Sequence, residues 1–252
     1  MTIQQNKQRT GNFNSSEIVA LTKQNKAKTG FGVAALTFIE ECNFERRLGR
    51  SISDEVTARP LSWGKLCEAY VQGMLLGKEY EHSSQETNTH PTIPYWVGSK
   101  DGIKHDEGKT VTDIKSPMTL KSFCQLVQPL YDGLEGIDCI NQIRDTHKDG
   151  EKYYWQLVSN GIINDCKWAE LQVFMPYEEE LTSLKYLAEG KDELYWLSMA
   201  KENELPFIKE GDYYKNLNII RFEIPQEDID FLTNCVLKAG EMLIDYPKLL
   251  SL

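Results

Sequence analysis

The chain reads as an α/β domain with a central mixed β-sheet flanked by helices. Three observations predict it: near-helical apolar spacing over residues 61–77, two strand-like runs at 93–98 and 110–115, and an alternation of helical and strand-like segments after them. At 252 residues and 40% apolar content the sequence can bury a substantial core, and no repeat, low-complexity run or Pro-rich linker divides it. One domain over 1–252 is therefore expected, with a core over about 14–225 and a C-terminal helix over about 226–246.

Residues 14–28 (NSSEIVALTKQNKAK) read as a helix, with Asn14, Ser15 or Ser16 as N-cap and Ile18, Val19 and Leu21 facing inward. Residues 29–60 are mixed, a short apolar stretch over 33–39 preceding the basic cluster ERRLGR at 45–50. Segment 61–77 sets Leu61, Trp63, Leu66, Tyr70, Met74 and Leu75 at helical spacing. The strands at 93–98 and 110–115 suggest a hairpin, closed by Pro117, which cannot donate to a ladder. Residues 119–149 divide between helix and loop. Beyond them, 153–160 reads as helix, 168–175 as strand, 177–203 as a long helix rich in Glu and Leu, and 219–224 as strand. Pro225 then opens the final helix from its first turn.

No apolar run approaches the roughly 18 residues of a membrane-spanning helix, and the start MTIQQNKQRTGNF lacks the apolar core of a secretory signal. A soluble, cytoplasmic protein is expected. Cysteines 42, 67, 124, 139, 166 and 235 form no C-x-x-C pair, which argues against a structural zinc site and a dense disulfide framework and for buried free thiols. An iron–sulfur cluster, which needs four closely organised thiolates, is not expected either. Histidines 82, 90, 105 and 147 show no ligand spacing.

The net charge of −10 works against phosphate contacts, but it is unevenly spread. Residues 1–50 carry eight Lys or Arg against four Glu, a balance of +4, so the remainder sums to −14. This asymmetry is open to two readings: a basic front offered to nucleic acid, or a merely solvated distribution.

The chemistry concentrates in YWVGSKDGIKHDEGKTVTDIK, residues 95–115. Asp101 follows a strand-like run, and Asp113 and Lys115 form acid-x-Lys on the next strand. Two carboxylates can share divalent cations, which activate a water and stabilise the leaving oxygen of an in-line phosphoryl displacement. Lysine supplies a compact charge that orients or helps deprotonate that water and offsets charge in the transition state. Alone, the triplet is an ordinary strand pattern and Asp101-Gly102 an ordinary turn, so context decides.

Five patches in order, between residues 15 and 156, supply that context: NSSEI at 14–18, SWGKLCEAY at 62–70, GSKDG at 98–102, DIKSP at 113–117 and YYWQLVSNG at 153–161. Together they resemble the YqaJ-type viral recombinase family, the phage lambda-type exonuclease branch of the PD-(D/E)XK nucleases. The resemblance implies a restriction-endonuclease-like core in which Glu68, Asp101 and Asp113, with the Ile114 carbonyl, hold Mg²⁺ or Mn²⁺ and Lys115 is the catalytic lysine. It further implies that Ser16 and Gln156 engage phosphate, with Lys121 standing where the phage enzyme has an arginine close to DNA; lysine keeps the charge without the bidentate fork. Read on its own, the patch is better taken as an ordinary helix cap.

The chain departs from the family pattern in having Asp-x-Lys where many members have Glu-x-Lys, and Val158 where a second glutamine stands. The stretch 119–149 is either an insertion shaping a DNA channel or oligomer contact, or a surface elaboration. Tyr153, Tyr154 and Trp155 could stack on bases or fill the core. The resemblance implies an exonuclease acting 5′ to 3′ on double-stranded DNA ends, in a bacterial or phage-infected cell. Its expected partners are a single-strand annealing protein and further copies of itself. The alternatives are a structure- or sequence-specific endonuclease of the same superfamily and a catalytically silent DNA-binding scaffold.

Overall fold

Thr110–Lys115 is the strand around which the molecule is organised: in the computed structural model, which describes residues 8–52, 58–82, 86–201 and 204–244, every residue of it but Lys115 is buried. In chain order the strands are β1 (Phe13–Asn14), β2 (Tyr80–His82), β3 (Asn88–Thr89), β4 (Trp96–Gly98), β5 (Gly102–Lys104), β6 (Thr110–Lys115), β7 (Trp168–Phe174) and β8 (Leu217–Glu223). A five-stranded sheet runs β2-β5-β6-β7-β8, with β6 and β7 parallel and its other pairs antiparallel. A three-stranded sheet runs β1-β4-β3. The mixed sheet is thus the expected one.

The α-helices are α1 (Val33–Leu48), α2 (Arg59–Tyr70), α3 (Leu120–Tyr131), α4 (Gly136–Thr146), α5 (Gly150–Asn164), α6 (Leu181–Ala188), α7 (Tyr195–Met199) and α8 (Gln226–Gly240). A parallel β6–β7 pair requires a crossover, and α3, α4 and α5 provide it. They pack Phe123, Leu126, Ile140, Ile143, Leu157 and Val158 with Val111, Leu171, Val173 and Phe222 of the sheet. A second apolar cluster joins Trp63, Leu66 and Tyr70 of α2 and Leu181 and Leu184 of α6 to Ile114 and Phe174. Because strand side chains alternate, Ile114 enters that second cluster while Asp113 and Lys115 face the side of α5.

Several local expectations are corrected. Residues 14–28 do not form an α-helix: β1 pairs in parallel with Trp96 and Val97, and only a five-residue 3₁₀ turn, Ile18–Thr22, follows. The Asn14 carboxamide oxygen accepts from the Glu17 N–H at 3.1 Å and from the Ser16 hydroxyl at 2.5 Å, closing the turn that follows β1. Ile18 and Leu21 do turn inward. The mixed stretch after residue 29 contains the 16-residue α1, ended by Gly49 in the left-handed conformation (φ 66°), whose N–H bonds Glu45 O at 2.8 Å.

Segment 61–77 is helical as expected but divides into α2 and a π turn, Val71–Leu75, and Leu61 and Met74 are exposed. The hairpin is β5–β6, because β4 belongs to the other sheet. Segment 119–149 is not a surface ornament, since α3 and α4 bury core side chains. The long helix expected over 177–203 is broken into α6 and α7 around Gly190 (φ 73°), with 202 and 203 outside the described residues, and the C-terminal helix ends at Gly240 instead of near 246, where 245 and 246 lie outside the described residues. All six cysteines are free and five are buried, only Cys124 being half-buried. Among the described residues no helix is long and apolar enough to cross a membrane.

Candidate active site

Helix α2 presents Glu68 from one side of the sheet. Trp63, Leu66, Cys67 and Tyr70 anchor the helix in the second cluster, which leaves Glu68 half-buried at the edge of that contact. Four residues on, in the π turn, Gln72 Nε2 donates to Glu68 Oε1 at 3.3 Å and to the Asp101 carbonyl at 3.0 Å. Asp101 stands just before β5, and its Oδ2 accepts the Ile114 N–H at 2.6 Å, joining it across the ladder to the acid-x-Lys strand.

Asp113 is 1% exposed. Its Oδ1 accepts from Gln156 Nε2 at 2.8 Å, and its Oδ2 lies 2.6 Å from Lys115 Nζ, a charge contact that leaves this buried oxygen without an aligned hydrogen bond. Gln156 Oε1 in turn accepts from Lys115 Nζ at 3.5 Å, and the ammonium lies 5.1 Å from the centre of the Tyr153 ring. Gln156, the glutamine of the YYWQLVSNG patch, thus bridges acid and lysine, while Val158 is core.

Electrostatics follows from this crowding. Burial raises the Asp101 carboxyl well above its ordinary value, and the charges of Asp113 and Glu68 raise it further, against the opposing pull of Lys115 and the Ile114 N–H. Burial works against the Lys115 ammonium, but the carboxylates of Asp113 and Asp101 outweigh it and the group is pushed up to about 12. Lys115 is therefore a cation at neutral pH in this arrangement.

The donor set suits a hard divalent cation in kind: three carboxylates whose mutual repulsion at Asp101 a cation would relieve. The side chains do not form a finished cage, for among the described residues no three His, Cys, Asp or Glu groups are gathered closely enough to hold a metal ion. Lys115 contacts one Asp113 oxygen at 2.6 Å and the Ile114 N–H donates to one oxygen of Asp101, so both carboxylates already have protein partners.

The remaining expected residues stand apart in the bonding pattern. Ser16 is half-buried in a turn and not at a helix start, which removes the helix N-terminus from its expected phosphate role; its hydroxyl accepts from Arg9 Nη2 at 2.7 Å. Burial lowers the pKa of Arg9, so this guanidinium is poorly hydrated. Lys121 is exposed on the first turn of α3. Tyr154 and Trp155 are buried core residues, whereas Tyr153 touches the site through Lys115. Gln72 and Arg9 escaped the sequence because their partners lie in the Asp101 loop and the Asn14–Ser16 turn; only the i, i+4 spacing of Glu68 and Gln72 was there to find.

No protein-family model matches the sequence, and no curated protein does. Solved structures do match in fold. An alkaline exonuclease from Laribacter hongkongensis superposes with a TM-score of 0.58 at 12% identity, covering 96% of this chain and 92% of that one. The same exonuclease in complex with dAMP gives 0.51 at 13% identity over 96% of both chains. A phage-related exonuclease from Haemophilus somnus 129PT gives 0.58 at 13% identity over 92% of both. The chain therefore has the α/β, restriction-endonuclease-like fold of these exonucleases, over nearly its whole length.

Proposed function

We propose that this chain is a metal-dependent DNA exonuclease of the YqaJ-type, phage lambda-like branch, which hydrolyses one strand from duplex ends and exposes the other for annealing-type recombination. The observation that carries the reading is the convergence on Asp101 of Glu68 from a helix, Asp113 from the central strand and Lys115 beside it, in a fold shared with exonucleases. Glu68, Asp101, Asp113 and the Ile114 carbonyl would hold Mg²⁺, with Mn²⁺ as a substitute. When bound, the ion supplies Lewis acidity and lowers the pKa of water.

The protein's own groups do the rest. Lys115, a cation in this environment, donates hydrogen bonds to the attacking water or to a phosphoryl oxygen and offsets charge as the new oxygen–phosphorus bond forms and the leaving bond breaks. As an ammonium it orients the water rather than taking its proton. Gln156 keeps Asp113 and Lys115 in fixed relation through its two bonds. Ser16 with Arg9, and Lys121 beyond the acid-x-Lys strand, are the phosphate contacts of the reading. It also includes 5′ to 3′ polarity, a homo-oligomer and a single-strand annealing partner.

The test is digestion of linear duplex labelled separately at its 5′ and 3′ ends, with Mg²⁺, Mn²⁺ or EDTA, for wild type and Lys115→Ala, beside a covalently closed circle. Metal-dependent release from the 5′ label, confined to linear DNA and lost in the variant, is expected. Cutting of the circle would replace the exonuclease with an endonuclease, and DNA binding without cleavage would leave a scaffold.

A further inference from the structure

Glu68 and Asp101 belong to different parts of the fold, a helix on one face of the sheet and the loop entering β5, and Gln72 joins them directly. Its carboxamide nitrogen carries two N–H donors, and the structure spends one on Glu68 Oε1 (3.3 Å) and the other on the Asp101 carbonyl (3.0 Å). The backbone is adapted at this point: α2 gives way to a π turn in which the Leu76 N–H bonds Val71 O, five residues back, at 3.1 Å. Such widened turns recur where a helix must place a side chain for function rather than for regularity. An uncharged clamp also suits the position. A lysine or arginine here would neutralise Glu68 and compete with any cation for its oxygens, whereas a carboxamide fixes the carboxylate and leaves its charge intact.

We infer that Gln72 is a positioning residue, holding the Glu68 carboxylate against the Asp101 loop so that the helix and the sheet present their acids to one divalent cation. The inference rests on the nuclease reading, and it assigns Gln72 an effect through Glu68 and not through DNA. Replacing an outer partner of a metal ligand lowers metal affinity or turnover by about 10- to 100-fold.

Gln72→Met keeps length and volume and removes both donors. The expected result is a melting temperature close to wild type, a KM for duplex DNA within about twofold, and a loss of about tenfold in kcat and in Mn²⁺ affinity measured by calorimetry on the DNA-free protein. Gln72→Ala serves the same purpose without relying on how methionine packs. In a Glu68→Gln background, Gln72→Met should weaken Mn²⁺ binding no further, since the carboxylate that the clamp holds for the cation is then absent. Wild-type Mn²⁺ affinity and kcat in a folded Gln72→Met protein, or a full additional loss in the Glu68→Gln background, overturns the inference alone. A wild type that neither binds Mn²⁺ nor cleaves DNA overturns the nuclease reading and the inference with it.

Discussion

Replacing Gln156 with alanine tests whether the acid-lysine pair is held from the helix side. The carboxamide donates to Asp113 Oδ1 at 2.8 Å, and Asp113 is 1% exposed, so no bulk water stands ready to replace the lost donor. Hydrogen bonds to charged groups contribute about 1.5–3 kcal/mol. The short distance and the burial place this one in the upper part of that range, about 2–3 kcal/mol. If the bond acts chiefly by keeping Asp113 and Lys115 in reacting position, that free energy appears in the barrier as a loss of about 30- to 150-fold in kcat/KM. The assay is single-turnover release of end label from linear duplex at saturating Mg²⁺, with thermal melting to show that the variant is folded. Activity within about twofold of wild type in a folded Gln156→Ala protein would refute the reasoning, because the bond would then bear on neither the lysine nor the acid.

Two further outcomes follow from the same structure. Asp101 has a raised carboxyl pKa, so the folded protein prefers its acid form, and the stability present at low pH is lost as pH climbs from the ordinary carboxylate range through the raised value. In EDTA, Asp101→Asn should therefore melt above wild type near neutral pH, with the advantage vanishing near pH 4; an equal difference at both pH values would contradict the burial and repulsion assigned to Asp101. At the start of α5, a Cβ on Gly150 would meet Ile143 O at 2.2 Å and the Arg144 Cα at 2.8 Å, backbone atoms of α4 that cannot step aside. Gly150→Ala should cost about 3 kcal/mol, a fall in Tm of about 6–12 °C, whereas Gly64→Ala, with open space at its Cβ, should melt at or slightly above wild type; equal melting of the two variants would discount the clash.

What the sequence made legible was whatever depended on short-range pattern. The spacing of Trp63, Leu66 and Tyr70 located α2 through its one buried face, and the run TVTDIK located the central strand as a short β-branched segment buried on both faces. Helix α1 stayed hidden since its apolar residues do not share a face: Val33, Leu36, Phe44 and Leu48 are exposed while Phe38 and Ile39 are buried. Residues 14–28 misled for the opposite reason, as a good N-cap sequence was diverted by the pairing of β1 with β4, a contact across more than eighty residues. The acids and the lysine were legible as residue types in order. Their connections, through Gln72, Gln156, Tyr153 and the Ile114 N–H, were not, because each depends on elements brought together only by the fold.

The position of Ile114 between Asp113 and Lys115 has a consequence for how the protein guards against its own errors. If β6 slid by one residue against β7, Ile114 would turn toward the polar side chains of α5, and Asp113 and Lys115 would be driven into the apolar cluster around Trp63 and Phe174. Such a chain would strand two charges in oil and would not persist. The apolar residue inside the acid-x-Lys triplet thus acts as a proofreader: a molecule that has folded stably at all has already aligned its charged pair, before any cation or DNA end arrives.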